Sequence, residues 1–350
     1  MKKIAVIGSG FFGTLISLHL SKKFKVDLFE KNSKFFYGAS SFNQMRYHLG
    51  YHYPRSKKTV NELKLYEKQF KKFFGEKVLG KTINYYGISK KKSKVNFKKY
   101  LKFLVQNKLK FKKINLTNFS NNIEGAIISN ERNLDLSFAK KIIKKKIKNS
   151  RIKILLNRTL QKKNIDQYYK IIICAYDQNN VVLKNLGIKP KKRFRYELIE
   201  KILIKLPKEF MNKSYIILDG KFVCVDPLLN TGYHLISDNL NSKIEIKKGY
   251  YPSFKNEKKK FLHKGFIINK KISKFDSFVK NGSKYLNFIK YSKFISTSFV
   301  TRVVEINKED TDERTNSIEV YNNKIFTILS GKWNTSVGIA KRISKILDAK

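Results

Sequence analysis

The chain has 350 residues, of which 41% are hydrophobic, enough for one large domain or two moderate ones with a real core. No apolar run reaches the eighteen or so residues of a membrane span, and two cysteines, Cys174 and Cys224, without a CxxC exclude a disulfide framework and a cysteine zinc site. The formal charge of +50 suggests a polyanion partner, but only ten of the 76 basic residues are arginine and the lysines are scattered, which fits drift toward AT-rich codons better.

In chain order, "KKIAVIG" predicts a buried strand that stops at glycine. That argues against reading the N-terminus as a signal peptide and points to the cytoplasm. "GSGFFGTLISLHLSKK" predicts a helix opened by glycines, and "KVDLFEKN" a second strand ending in an acid; together they form a βαβ unit. "GASSFNQMRYHLGYHYPRS" follows, then a helix through "KKTVNELKLYEKQFKKFF" that stops at Gly75. "KTINYYGIS" reads as a strand, "KVNFKKYLKFLVQNK" as a helix, and "IEGAIIS" as a strand before a helix from about Leu136. "RIKILLN" and "YYKIIICAY" read as strands. From Arg193 to about Asp238 the runs suggest an antiparallel sheet. Two lysine-rich helices are expected between 254 and 292, then a strand, a hairpin and a closing helix.

The sharpest motif is Gly8-x-Gly10-x-x-Gly13. It follows a strand, opens a helix and precedes the acid Glu30, the context of a dinucleotide-binding fingerprint. Gly8 permits the turn, Gly10 lets the backbone approach a pyrophosphate and Gly13 lets the helix pack on the strand. Ser9, Phe11, Phe12 and Lys31 flank the same site. An acid at position 30 suits ribose hydroxyls and disfavours a 2′-phosphate, so NAD or FAD fits better than NADP.

With "YGASSFNQMRYHLGYHYPRS" directly after the second strand, the chain resembles FAD-dependent oxidoreductases of the D-amino-acid oxidase type. Asn43, His48, Gly50, Tyr53, Pro54 and Ser56 match the loop of the L-2-hydroxyglutarate oxidases, with Gln44 and His52 as departures. "YYKIIICAYDQNN" is similar to the family's strand and cofactor-side turn, with Cys174-Ala175-Tyr176 in place of A-T-G. "ILSGKWNTSVGIAKRISKIL" is similar to its closing strand, flavin loop and helix. The resemblance implies an α/β fold, a Rossmann-like FAD-binding domain with an inserted α+β substrate domain on a mixed sheet. The FAD-binding parts would span 1–80, 125–190 and 300–350, and the substrate domain 81–124 and 191–299. It implies FAD contacts from Ser40, Ser41, Asn43 and Gln44, and from Gly331, Lys332, Trp333, Asn334 and Thr335.

It also implies hydride transfer from a CH–NH or CH–OH carbon of a small amino- or hydroxy-acid-like substrate to the flavin, reoxidised by oxygen or an electron carrier. His48 would stand near the flavin to accept a substrate proton, with Arg46 as the second catalytic candidate; a packing role or a covalent flavin link are the other readings of His48. His48 and His52 are four residues apart, but Gly50 and Pro54 break the helix that a metal pair needs, so no metal is expected. A substrate carboxylate favours a guanidinium, so Arg46, Arg55, Arg195 and Arg302 are carboxylate candidates, the last three joining His52 and Tyr53 as substrate residues, although a salt bridge is the commoner role for any one arginine alone. Asp219-Gly220 and Asp226-Pro227 read as turns. Two alternatives remain: a flavoenzyme acting on an amine carried by RNA, and a non-catalytic nucleotide- or nucleic-acid-binding protein.

Overall fold

The computed structural model describes residues 1–308 and 310–348. Its first sheet has the order β16-β17-β9-β1-β2-β8. These strands are β1 (Lys3–Ile7), β2 (Lys25–Glu30), β8 (Ile152–Leu156), β9 (Lys170–Ile173), β16 (Ser317–Tyr321) and β17 (Ile325–Leu329). All neighbours run parallel except the β16–β17 hairpin. Side chains alternate between two apolar layers. Ile4, Val6, Leu28, Ile172 and Phe326 face one cluster, and Ala5, Ile7, Phe29, Ile171 and Ile173 the other. Coverage on both faces explains why these strands are apolar runs rather than alternating ones.

Helices α1 (Phe11–Leu20), α2 (Lys57–Phe74), α4 (Leu136–Lys148) and α7 (Ser336–Asp348) contribute to the first layer. α2 starts where the Ser56 side chain accepts from the Thr59 amide at 3.3 Å, and stops at Gly75, whose φ of +76° few other residues adopt readily. Between its ends Val60, Leu63, Tyr66, Phe70 and Phe74 form the buried stripe. The short helix α5 (Asn179–Asn185) places Leu183 in the second layer.

A nine-stranded mixed sheet forms the other half. Its order is β14-β10-β13-β12-β11-β4-β6-β5, with β15 along the other side of β10. The strands are β4 (Ile83–Ser89), β5 (Phe111–Ile114), β6 (Ile123–Ser129), β10 (Phe194–Lys205), β11 (Lys213–Leu218), β12 (Val223–Leu228), β13 (Tyr233–Asp238), β14 (Lys243–Gly249) and β15 (Lys293–Glu305). Helix α3 (Phe97–Gln106) packs against it near β6. A two-stranded ribbon, β3 (Arg46–Tyr47) with β7 (Arg132–Asn133), lies outside both sheets.

Three expectations need correction. The boundaries at 124/125 and 299/300 fall inside β6 and β15, both of which pair within the nine-stranded sheet. The stretch 254–292 holds one α-helix, α6 (Phe275–Gly282), and short 3-10 turns instead of two helices. Here the chain is drawn out because it bridges back to β15 at Leu262–Phe299 and Ile267–Thr297. Asp226, read as a turn residue, lies within β12 with no exposed surface. Among the described residues no helix is long and apolar enough to cross a membrane.

Candidate cofactor and substrate site

The carboxyl ends of four parallel strands meet at one edge of the first sheet, where open α/β sheets bind ligands. β1 ends at the glycine loop, β2 at Glu30, β9 at Cys174 and β17 at the loop before α7. β1 and β2 run in register from Lys3–Lys25 to Ile7–Phe29, so the glycine loop and Glu30 finish side by side. The Ser9 amide and hydroxyl both donate to Glu30 Oε2, at 3.0 and 2.8 Å. Asn32 donates twice to Oε1. The carboxylate therefore first locks the loop, and its remaining lone pairs are what a ribose would use.

The glycines are required by space. A Cβ on Gly13 would lie 1.8 Å from the Gly8 oxygen, and one on Gly8, at φ +102°, 2.6 Å from the Cys174 oxygen. At Gly10 the neighbour is the Ser40 hydroxyl, 2.7 Å from an added Cβ. Ser40 accepts from the Phe11 amide at 3.1 Å, leaving its own proton to donate beside the start of α1. Phe11 is buried against Phe36 and Trp333, and Lys31 is exposed.

A cleft with about 1100 Å³ of empty space, partly open to solvent, runs between the two halves. The first half lines it with Phe12, Ser40, Asn43, Gln44, Arg46, His48, Tyr176 and Gly331–Trp333. The second half contributes β10 and β15. Their antiparallel register pairs Glu197 with Arg302, Ile199 with Val300 and Lys201 with Ser298, so these rungs share one face.

The arginines are engaged in ion pairs, the commoner of the two roles expected of each. Arg46 Nε and Nη2 meet Asp226 at 3.0 and 2.5 Å, both side chains almost fully buried. Arg55 grips Asp219 in the same way and does not line the cleft. Arg195 and Arg302 close on the two oxygens of Glu197, each at 2.5 Å. These two cations hold the buried Glu197 carboxyl below its ordinary range despite burial, and Arg302 remains on the cleft wall. His52 and Tyr53 sit behind His48, in ring contact with it, and not on the cleft wall.

His48 is buried; its backbone oxygen accepts from Asn334 at 2.8 Å, and its Nδ1 lies 4.0 Å from Glu131. Burial first, then Lys332 and Arg46, pushes the imidazole well below its ordinary pKa, so it is neutral at pH 7. Asn334 and Thr335 are buried supports. The Asn316 side chain bonds to the Thr335 hydroxyl and to the Gly331 amide, fixing the loop from below. Burial brings Lys332 down to about 7. Ser41 bonds to the Phe36 oxygen and to Lys140, and Asn43 accepts from the Met45 amide at 2.8 Å, so both shape the loop.

Two residues were missed from the sequence. Tyr176 takes the left-handed backbone, φ +54°, at the place of the family's glycine. Its hydroxyl accepts from the Val303 amide at 3.1 Å, tying the two sheets together across the cleft. Lys201, from β10, donates to Gln44 Oε1 at 3.0 Å. The first had a signal, the tyrosine in an A-T-G position; the second was one lysine among 66.

No protein-family model matches the chain, and no curated protein matches it in sequence. Solved structures do. Glycine oxidase from Geobacillus kaustophilus superposes with a TM-score of 0.74 at 10% identity, over 100% of this chain and 96% of that one. L-α-glycerophosphate oxidase from Mycoplasma pneumoniae, with FAD bound, gives 0.73 at 16% identity, over 100% and 96%. L-proline dehydrogenase from P. horikoshii gives 0.71 at 13%, over 99% and 93%. The chain has the fold of these oxidoreductases. The expected architecture, a Rossmann-like sheet joined to a mixed sheet, is thus the observed one.

The glycine cradle locked to Glu30 fits the nucleotide end of FAD, and the cleft beyond it has room and unpaired polar groups for a further ligand. Gln44 Nε2, His48 Nδ1 and Thr301 Oγ1 are buried, have no hydrogen-bond partner and belong to residues lining the cleft. Buried polar atoms left unpaired are costly and mark places where a ligand completes the bonding. Among the described residues no group of three His, Cys, Asp or Glu could hold a metal ion.

Proposed function

We propose that the chain is an FAD-dependent oxidoreductase acting on a CH–NH or CH–OH carbon of a small amino- or hydroxy-acid-like substrate. The observation that carries this reading is the cleft itself: a glycine cradle locked to Glu30 at one end, and unpaired buried polar atoms at the other. FAD, when bound, supplies the hydride acceptor.

The protein's part is to bind, orient and move a proton. The first-turn amides of α1 hold the pyrophosphate, with the Ser40 hydroxyl beside them. Glu30 receives the ribose hydroxyls. Gly331, Lys332 and Trp333 present amides and a cation to the ring end of the cleft. His48, neutral and with Nδ1 unpaired, accepts the substrate proton, and Glu131 nearby offsets the charge that results. The first sheet is the cofactor half and the face of β10 and β15 the substrate half.

Purified protein examined for the flavin absorption bands tests this. It is expected to be yellow, or to become so with added FAD, and Gly10→Leu, which fills the cradle against Ser40, is expected to be folded and colourless. Wild-type protein that takes up no FAD would overturn the reading.

A further inference from the structure

The arginines near the cleft are matched to buried carboxylates: Arg46 to Asp226, and Arg195 with Arg302 to Glu197. Lys201 differs. It is almost fully buried, lines the cleft, and donates to a neutral amide. An ammonium only donates, so Gln44 turns Oε1 toward Lys201, and Gln44 Nε2 is left buried without a partner. An ammonium and an unsatisfied amide N–H therefore sit on neighbouring atoms at one point of the cleft. A buried cation needs an anion. One lysine with one neutral donor matches the single charge and two oxygens of a carboxylate. The next rung of the same sheet face is apolar, Ile199 with Val300, and lies about 7 Å along the strand.

Resting on the proposed function, we propose that Lys201 and Gln44 bind the carboxylate of the substrate, with its apolar side group laid over Ile199 and Val300. The acid is then recognised by a lysine of the substrate sheet and not by an arginine. Groups around Lys201 come from three elements: Arg302 from β15, Asp226 and Cys224 from β12, and Arg46 from β3. Burial first, then Arg302, brings the lysine down to about 7 against the opposing pull of Asp226. A carboxylate binds the ammonium form, so its affinity is level below pH 7 for as long as the acid stays ionised and falls about tenfold per pH unit above it.

The test titrates FAD-loaded protein with propionate, and in a second arm with inorganic phosphate, following the flavin absorbance. Propionate is expected to perturb the spectrum, with affinity lost about tenfold or more in Lys201→Met and retained in Lys201→Arg. The fall above pH 7 is expected to become markedly shallower in Lys201→Arg, whose cation stays charged, with Lys332 accounting for any slope that remains. Equal propionate affinity in Lys201→Met, no response to propionate, or tighter binding of phosphate would overturn the assignment. Failure to load FAD at all would instead overturn the function on which it rests.

Discussion

Arg46 and Asp226 meet through two parallel contacts in a place that water does not reach, and Ser214 adds a third bond to the same carboxylate. Removing one partner of such a pair strands the other charge, a cost of about 3–5 kcal/mol. Asp226→Asn is therefore expected to lower the unfolding free energy by about 3 kcal/mol, measured by urea denaturation. The buried lysine makes a pH prediction of opposite character. Lys201 releases its proton near pH 7 in the fold and near its ordinary value, well above that, once unfolded. Between those values the unfolded chain binds the extra proton, so stability from this group rises with pH and its cost is fully present below pH 7. The apo wild type is expected to gain on Lys201→Met by up to ~1 kcal/mol per pH unit from pH 7 to 9, read from urea midpoints. None of these roles was legible locally. Arg46 and Asp226 are 180 residues apart, and Arg55 and Asp219 are 164 apart. A list of scarce arginines cannot reveal that each has a buried acid waiting for it. The glycine loop and Glu30 were legible, because their partners lie within one βαβ unit.

Elements whose ends carry their own chemistry were read closely from sequence. α4 starts at Asp135, whose side chain accepts from the Phe138 amide at 2.9 Å, and α2 runs from its serine cap to Gly75. Asp135→Ala is expected to cost about 1 kcal/mol in chemical denaturation. The lysine-rich stretch before β15 was misread because lysine favours helix and nothing local records its bridges to a distant strand. At the turn after β9 two effects compete. A non-glycine residue at φ +54° costs on the order of 1 kcal/mol, and the Tyr176 hydroxyl recovers some of it by accepting from Val303. Tyr176→Phe keeps the strained backbone and orphans the Val303 amide. It is expected to lose about 1–2 kcal/mol, seen as a lower urea midpoint.

At the scale of the molecule, the charge of +50 is a mechanical load. Like charges on a compact body repel, and salt screens them over about 10 Å at 0.1 M. Melting temperature is expected to rise as sodium chloride increases from a few millimolar to physiological strength, by ~1–2 °C for each ~1 kcal/mol of repulsion relieved. A flat or falling response in a thermal scan would mean that the lysines are already compensated. The order in which the sheet is assembled has a further consequence. β1 is made first, but its neighbour β9 begins at Lys170 and the strand beyond, β17, at Ile325. The walls of the cleft come from residues 12–48, 176–242 and 300–333. A chain emerging from a ribosome thus holds its glycine loop through β2 and Glu30 alone until β9 and β17 arrive. The cleft is walled on every side only when Ser330–Trp333 have joined the strands laid down before them, so whatever the cleft holds is admitted late in folding.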